Sequence, residues 1–233
     1  MFGFYKTTVG KKIVVASTGV VLFLFVLGHM AGNLKAFMGF NAASGRYKLD
    51  EYGEFLRTMG HEVMGNYTAL WIVRVVLLLC LLLHLITIVQ LQYQKQRARP
   101  IGYAKREYDC ATYAARSMFL GGLLLLIFIV YHLLHLTTGT LHFRGFEEGA
   151  VYSNVVTAFN QPLIVAGYLV AMLILSMHLF HGVWSMFQTL GLDTPQRNKL
   201  LRTIAAAASV IIGLGFASVP IAVASGFLNL GQG

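Results

Sequence analysis

Residues 163–187 read LIVAGYLVAMLILSMHLFHGVWSMF, and they contain no Asp, Glu, Lys or Arg but two histidines, His178 and His181. A helix of this length, at a rise of ~1.5 Å per residue, crosses the ~30 Å hydrocarbon core of a bilayer. An ionisable side chain inside such a helix is costly and by default marks a functional site. The stretch therefore predicts a transmembrane helix with functional histidines.

The composition extends this prediction to the whole chain. Of its 233 residues, 57% are hydrophobic and only 12% are charged, whereas about a quarter of the residues of a soluble domain are charged. The net charge of +9 is expected to sort to one side of a membrane rather than to bind nucleic acid. The two cysteines, Cys80 and Cys110, form neither a disulfide framework nor a metal motif. No CxxCH motif occurs, which excludes covalently attached haem.

Five apolar segments are long enough to cross a membrane as helices, the form that satisfies backbone polar groups in lipid. For the first segment the alternative is a signal peptide, but its length and the lack of a small-residue cleavage site favour a span. The predicted spans I to V are Ile13–Phe37, Thr68–Leu91, Ser117–Thr138, Leu163–Phe187 and Ile204–Leu228.

The lysines and arginines between the spans predict the orientation. Twelve lie on the side of the N-terminus and five on the other side, where acidic residues are mixed among them. Cytoplasmic loops carry the excess of Lys and Arg, so we expect the N-terminus in the cytoplasm and the C-terminus outside. The twelve are Lys6, Lys11, Lys12, Lys95, Arg97, Arg99, Lys105, Arg106, Arg116, Arg197, Lys199 and Arg202.

Four of the histidines within the spans sort into two pairs by depth. His29 and His132 each lie about fifteen residues into a span that runs outward, ~22 Å from its cytoplasmic start. His84 and His178 lie a similar distance into spans that run inward, which places them in the cytoplasmic half. Each pair thus has one histidine on each of two helices at a matched depth.

Two matched pairs predict two haems stacked across the membrane. A haem iron that only transfers electrons takes two axial ligands, commonly neutral imidazoles, and facing helices of a bundle supply one each. A purely structural role is the alternative for each histidine taken alone. A proton relay is the other functional interpretation, although no Asp or Glu lies within any span. Span III also holds His135 and span IV His181; residues three apart differ by about 60° around a helix, so spacing does not decide which of each doublet is the ligand.

Four stretches of the chain resemble the cytochrome b membrane-anchor subunit of succinate dehydrogenase and fumarate reductase, in its five-helix, dihaem branch. They read GKKIVVASTGVVLFLFVLGHMAGNLKAF (10–37), LLLHL (81–85), ARSMFLGGLLLLIFIVYHLLHLTTG (115–139) and MHLFHGVWSMFQTLG (177–191). The resemblance covers nearly the whole chain. It implies axial ligands at His29, His84, His132 and His178, with His135 and His181 as neighbours.

The resemblance also implies partners and cofactors. A flavoprotein subunit with FAD oxidises succinate, and an iron–sulfur subunit docks on the cytoplasmic face of the chain. The cofactors are two haem b groups and a membrane quinone, menaquinone rather than ubiquinone. The dicarboxylate chemistry belongs to the partner subunit. The chain departs from the fumarate reductases of the family at Ser176, where they have a glutamate linked to proton transfer.

Other polar residues are weaker candidates. Haem propionates and quinone carbonyls need cationic or hydrogen-bonding partners near helix ends. Arg74, Arg116, His181 and Ser17 are predicted neighbours of haem or quinone, with Lys12 a further candidate, and snorkelling anchors are the alternative for the arginines.

The sequence therefore predicts an all-α membrane protein, a single domain over residues 1–233, with five transmembrane helices in a bundle around two haems. The expected function is the dihaem cytochrome b anchor of a succinate:quinone oxidoreductase in a bacterial cytoplasmic membrane. We expect contacts with lipid and a higher oligomer of the complex, and no nucleic-acid partner. The alternatives are a cytochrome b of another membrane dehydrogenase, such as a formate- or hydrogen-linked one, and a proton-coupled transporter with a histidine relay.

Overall fold

The structure is a computed structural model that describes residues 2–98 and 113–231, with side chains for 3–98 and 117–231. Its helices are α1 (Phe2–Tyr5), α2 (Thr8–Asn33), α3 (Lys48–Thr58), α4 (His61–Met64), α5 (Thr68–Ala98), α6 (Tyr113–His132), α7 (Val151–Phe159), α8 (Pro162–Thr189) and α9 (Asn198–Ala224). A 3₁₀ turn at Leu34–Met38 continues α2, and a π turn at Leu133–Thr137 continues α6. Two short antiparallel strands, β1 (Phe40–Asn41) and β2 (Arg46–Tyr47), form a hairpin.

Five helices are long and apolar enough to cross a membrane, which confirms the prediction of five spans. They cover Thr8–Met38, Thr68–Ala98, Ser117–Thr137, Pro162–Thr189 and Asn198–Ala224. Local sequence accounts for their boundaries. The Thr7 side chain caps the start of α2 by accepting the N–H of Gly10 at 2.9 Å, and Pro162 opens α8 where no intrahelical donor is needed. Most large apolar side chains of α5 and α6 are exposed, as lipid-facing side chains are.

The two helices that carry each histidine pair are not direct packing neighbours. Among the described residues, the extensive contacts join α8 to α9, α2 to α5, α6 to α8, and α2 to both α8 and α9. Neither α2 with α6 nor α5 with α8 belongs to this set. The His29/His132 pair and the His84/His178 pair therefore each reach across the bundle between helices that are not close-packed neighbours.

One end of the bundle carries a folded cap, residues 34–67, 138–161 and 225–231. Its core joins Ala36, Leu49 and Tyr152 to the ends of α8 and α9. A carboxylate oxygen of Asp50 accepts the backbone N–H of Tyr152 at 2.8 Å, and the rings of Tyr47 and Tyr152 stack 3.8 Å apart. Of the cap helices, α3 lies between predicted spans I and II and α7 between spans III and IV. We call the opposite end of the bundle, with residues 2–12 and 190–202, the basic end.

Candidate functional site

The structure brings His29 and His132 together. Their ring centroids lie 5.9 Å apart, with an angle of 77° between the ring planes. Aromatic rings surround them: Phe25 stacks on His29 at 5.4 Å, and Phe216 lies 5.7 Å from the same ring. Both histidines are half-buried. Two helices that do not pack closely against each other thus present imidazoles to one point inside the bundle.

His84 and His178 lie nearer the basic end, close enough for a charge on one imidazole to act on the other. Both are half-buried. Each ring has a glycine from a neighbouring helix against it: a Cβ on Gly19 would lie 3.7 Å from Cε1 of His84, and one on Gly122 would lie 3.6 Å from Cε1 of His178. Each ring therefore packs directly against the backbone of a neighbouring helix at a position without a side chain.

In each pair, one imidazole has its Nδ1 held by a hydroxyl. His84 Nδ1 lies 3.1 Å from Thr18 Oγ1, and Thr18 donates its own hydrogen to Val14 O at 2.8 Å. The Thr18 oxygen is therefore an acceptor for an N–H at Nδ1 of His84, which leaves Nε2 as the ring's lone-pair donor. His132 Nδ1 lies 3.3 Å from Tyr168 Oη. Hydrogen bonding of the far nitrogen in this way orients histidines that bind metals.

These donor sets fit haem. Each pair offers two imidazoles, and in the described part of the chain no third His, Cys, Asp or Glu joins either pair to form a metal cluster. A porphyrin brings its own four nitrogens to the iron and takes two axial ligands from the protein. Over their described residues, the paired helices, α2 with α6 and α5 with α8, are not close-packed neighbours, and a planar group held between two imidazoles needs such a separation.

A second cluster adjoins His132 on the cap side. His135, in the π turn, is fully buried, and its Nδ1 lies 2.9 Å from Tyr168 Oη. Its ring stacks on Tyr131 at 5.2 Å and on His142 at 5.3 Å. The ring of His142 is fixed between two backbone carbonyls, with Nδ1 2.7 Å from Arg144 O and Nε2 3.0 Å from Asn154 O.

His181 lies one turn from His178 toward the basic end. Its ring centroid is 6.4 Å from that of Trp184, and Arg202 of α9 covers the Trp184 ring at 4.9 Å. Within the described chain, His181 Nδ1 and Trp184 Nε1 are buried and have no hydrogen-bond partner. Such atoms fit the predicted role of His181 as a neighbour of a cofactor or quinone oxygen.

Of the other predicted neighbours, the structure describes the side chains of Arg74, Ser17 and Lys12. Arg74 is exposed, with its guanidinium 5.0 Å from the Trp71 ring, which fits the snorkelling alternative. Ser17 and Lys12 are on the exposed face of α2, whereas the adjacent Thr18 and Lys11 are buried. The side chain of Arg116 lies outside the described residues, as do Arg99, Lys105, Arg106 and Cys110.

Sequence reasoning missed Thr18 and Tyr168, the two residues that hold the ring nitrogens. Tyr168 had a detectable signal, because a phenol in an apolar helix needs a hydrogen-bond partner. Thr18 had none, because a threonine in a membrane helix satisfies its hydroxyl on a carbonyl of the preceding turn and then gives no sign of a second contact.

Comparisons of the chain with protein-family models, with curated proteins and with solved structures return no match.

Proposed function

We propose that the chain is a dihaem cytochrome b that anchors a succinate:quinone oxidoreductase in the membrane and passes electrons from the iron–sulfur subunit to quinone. The observation that carries the proposal is the pairing of four histidines on four spanning helices, with the His29 and His132 rings 5.9 Å apart. His29 and His132 would hold one haem b, and His84 and His178 the other. The family resemblance of the sequence supplies the succinate and quinone parts of the proposal.

Bound haem would supply one-electron transfer. The residues of the chain supply the conditions for it. Thr18 and Tyr168 hold one imidazole of each pair by its Nδ1, which fixes the direction in which Nε2 faces and strengthens it as a ligand. Phe25, Phe128 and Phe216 pack around the His29/His132 pair and give it an apolar surrounding. The apolar character of the surrounding is one of the factors that set a redox potential.

The basic end is the proposed docking face for the iron–sulfur subunit, whose flavoprotein partner carries FAD. An open surface groove of about 410 Å³ between α8 and α9 lies at this end, lined by Lys199, Arg202 and Phe180. The described ion pairs, Arg46–Glu54 and Lys48–Glu51, are in the cap, so neither uses a cation of the basic end. Cations of this kind attract acidic partner surfaces and anionic lipid.

By the distribution of Lys and Arg, the basic end faces the cytoplasm of a bacterium and the cap faces outward. The His84/His178 pair would then be nearer the iron–sulfur subunit. The quinone is proposed to be menaquinone on the strength of the resemblance alone. A cytochrome b of another membrane dehydrogenase, formate- or hydrogen-linked, would use the same four histidines.

One observation favours a different class of function. Tyr168 Oη is within hydrogen-bond distance of both His135 and His132, and such a row of groups is what a histidine-relay transporter would use for protons. The row reaches from the cap only to His132, and no acidic side chain lies within the spans. It therefore gives less support to the transporter than the two histidine pairs give to the cytochrome.

Purification of the chain with its bound subunits tests the proposal. We expect a flavoprotein and an iron–sulfur protein to co-purify, and we expect succinate to produce the absorption bands of reduced haem b. A complex that responds to formate or hydrogen instead would identify another dehydrogenase. A purified chain without a Soret band would favour the transporter, and the variant with both His29→Ala and His84→Ala is the haem-free control.

A further inference from the structure

Tyr168 occupies a position between two histidines of α6. Its hydroxyl oxygen lies 3.3 Å from Nδ1 of His132 and 2.9 Å from Nδ1 of His135. The tyrosine side chain is buried, with 6% exposed, and His135 is fully buried. Water therefore has little access to Tyr168 and His135, and each must satisfy its hydrogen bonds within the protein or leave them unmade.

Counting hydrogens fixes the direction of both bonds if His132 binds iron, as the proposed function requires. A neutral imidazole carries one N–H, and the nitrogen that binds iron carries none. With Nε2 of His132 on the iron, its proton is on Nδ1 and is donated to Tyr168 Oη. The single hydrogen of Tyr168 then goes to Nδ1 of His135, the shorter of the two contacts, as an O–H donor prefers.

We propose that Tyr168 is a positioning residue for His132. It holds one tautomer and one ring orientation, and by accepting the N–H it makes Nε2 a stronger donor to ferric iron. His135 strengthens this effect. When Nδ1 of His135 accepts the Tyr168 hydrogen, the phenol oxygen becomes a better acceptor for the N–H of His132. The inference rests on the proposed function and concerns only the His29/His132 pair.

A packing role is the alternative, since Tyr168 also contacts aromatic neighbours. Its ring meets Phe128 edge-on at 5.0 Å and Phe159 at 4.9 Å. The variant Tyr168→Phe separates the two roles, because it keeps the ring and removes only the hydroxyl. Tyr131→Phe is the matched control: Tyr131 stacks on His135, and its ring lies 6.2 Å from that of Tyr168. No hydrogen bond from Tyr131 to a histidine is present among the described residues.

The experiment is a redox titration of the purified complex, with electron paramagnetic resonance of the oxidised haems and a haem count on each variant. We expect Tyr168→Phe to keep both haems and to move the midpoint potential of one haem to a more positive value, because weaker donation from His132 stabilises ferric iron less. The low-spin signal of the same haem should shift, and the other haem should not change. Tyr131→Phe should leave both potentials and both signals at their wild-type values.

Unchanged potentials and signals in a Tyr168→Phe protein that holds two haems would overturn the inference and leave the proposed function standing. Equal shifts of both haems, or the same shift in Tyr131→Phe, would also overturn it, since they indicate a general change in the bundle. Loss of one haem alone, with wild-type helical content by circular dichroism, would support the positioning role. A wild-type chain without haem would instead refute the proposed function.

Discussion

Each doublet of histidines holds two imidazoles on nearly the same side of a helix, and their neighbours distinguish them. In span III, His132 meets His29, whereas His135 is enclosed by Tyr131, Tyr168 and His142. In span IV, His178 lies against Gly122 and is close enough to His84 for an electrostatic interaction, whereas His181 is next to Trp184. The sequence predicts the pairs from depth, but spacing alone leaves each doublet open because 60° does not separate two faces.

The first prediction concerns the doublets. His132→Ala and His178→Ala should each remove one haem, because a bis-histidine site then lacks an axial ligand. His135→Ala and His181→Ala should keep both. A pyridine haemochrome count per chain is the measurement. If His181→Ala lost a haem while His178→Ala retained two, the assignment of the ligand in span IV would be inverted.

The second prediction concerns Thr18. Thr18→Val keeps the shape of the side chain but removes the acceptor for His84 Nδ1, so the potential of the His84/His178 haem should rise while the other stays constant. Ser17→Ala is the control, since Ser17 is the exposed neighbour that the sequence favours. A redox titration resolves the two haems. An equal response to Ser17→Ala would show that the His84 contact does not set the potential.

At the scale of elements, hydropathy and length predict the five spans to within several residues, because both are local properties of the chain. The element α7 and the π turn at Leu133–Thr137 could not be predicted, because tertiary contacts stabilise them. The Asp50 carboxylate at the first turn of α7 comes from 102 residues away. The rotation of α2 about its own axis could not be predicted from the sequence either. Consecutive helical residues differ by about 100° in direction, so Thr18 faces His84 and Ser17 does not.

The third prediction concerns the contact of α8 with α9. A Cβ on Gly213 would lie within van der Waals radii of Ser176 Oγ and 3.3 Å from Ser176 Cβ. Gly213→Ala should therefore lower stability by ~1 kcal/mol, in the usual range for a single substitution, and Ser176→Ala in the same chain should restore it. Gly167→Ala on α8, where no atom lies within 4 Å, should be neutral or stabilising. Thermal unfolding in detergent measures all three, and failure of the double variant to recover would rule out this contact as the cause.

The fourth prediction concerns the cap hairpin. Glu51 accepts hydrogen bonds from Lys48, Ser44 and Asn41. These bonds, that of Lys48 most of all, lower the pKa of the Glu51 carboxyl from 4.5 to about 2. A lowered pKa in the folded state means that ionised Glu51 stabilises the hairpin above pH 4.5, and that this contribution is lost as the pH falls toward 2. Glu51→Gln should speed amide hydrogen exchange of Ser44 and Gly45 at neutral pH. Equal exchange in the two proteins would show that the carboxylate does not hold the turn.

At the scale of the whole molecule, the bundle has two unlike ends, and their difference in charge predicts the orientation. The cap is folded and holds both described ion pairs, whereas the basic end presents Lys and Arg from the N-terminal segment, α5 and the turn before α9. Five helices of the described chain are long and apolar enough to cross a membrane, and an odd number of crossings would put the two ends on opposite sides.

The fifth prediction concerns this orientation. In a background of Cys80→Ala and Cys110→Ala, a membrane-impermeant maleimide added to intact cells should label Ser44→Cys in the cap and should not label Thr194→Cys at the basic end. Both should react after permeabilisation. Labelling of Thr194→Cys alone in intact cells would mean that the chain is inserted the other way round.

The central claim is that four histidines on four helices hold two haems, and a quantitative haem count on the purified wild-type chain tests it most directly. Pyridine haemochrome absorbance divided by protein concentration from amino-acid analysis should give two b haems per chain. The His29→Ala and His84→Ala variants should give one each. A wild-type value of one would reject at least one pair, and a value of zero would contradict the account.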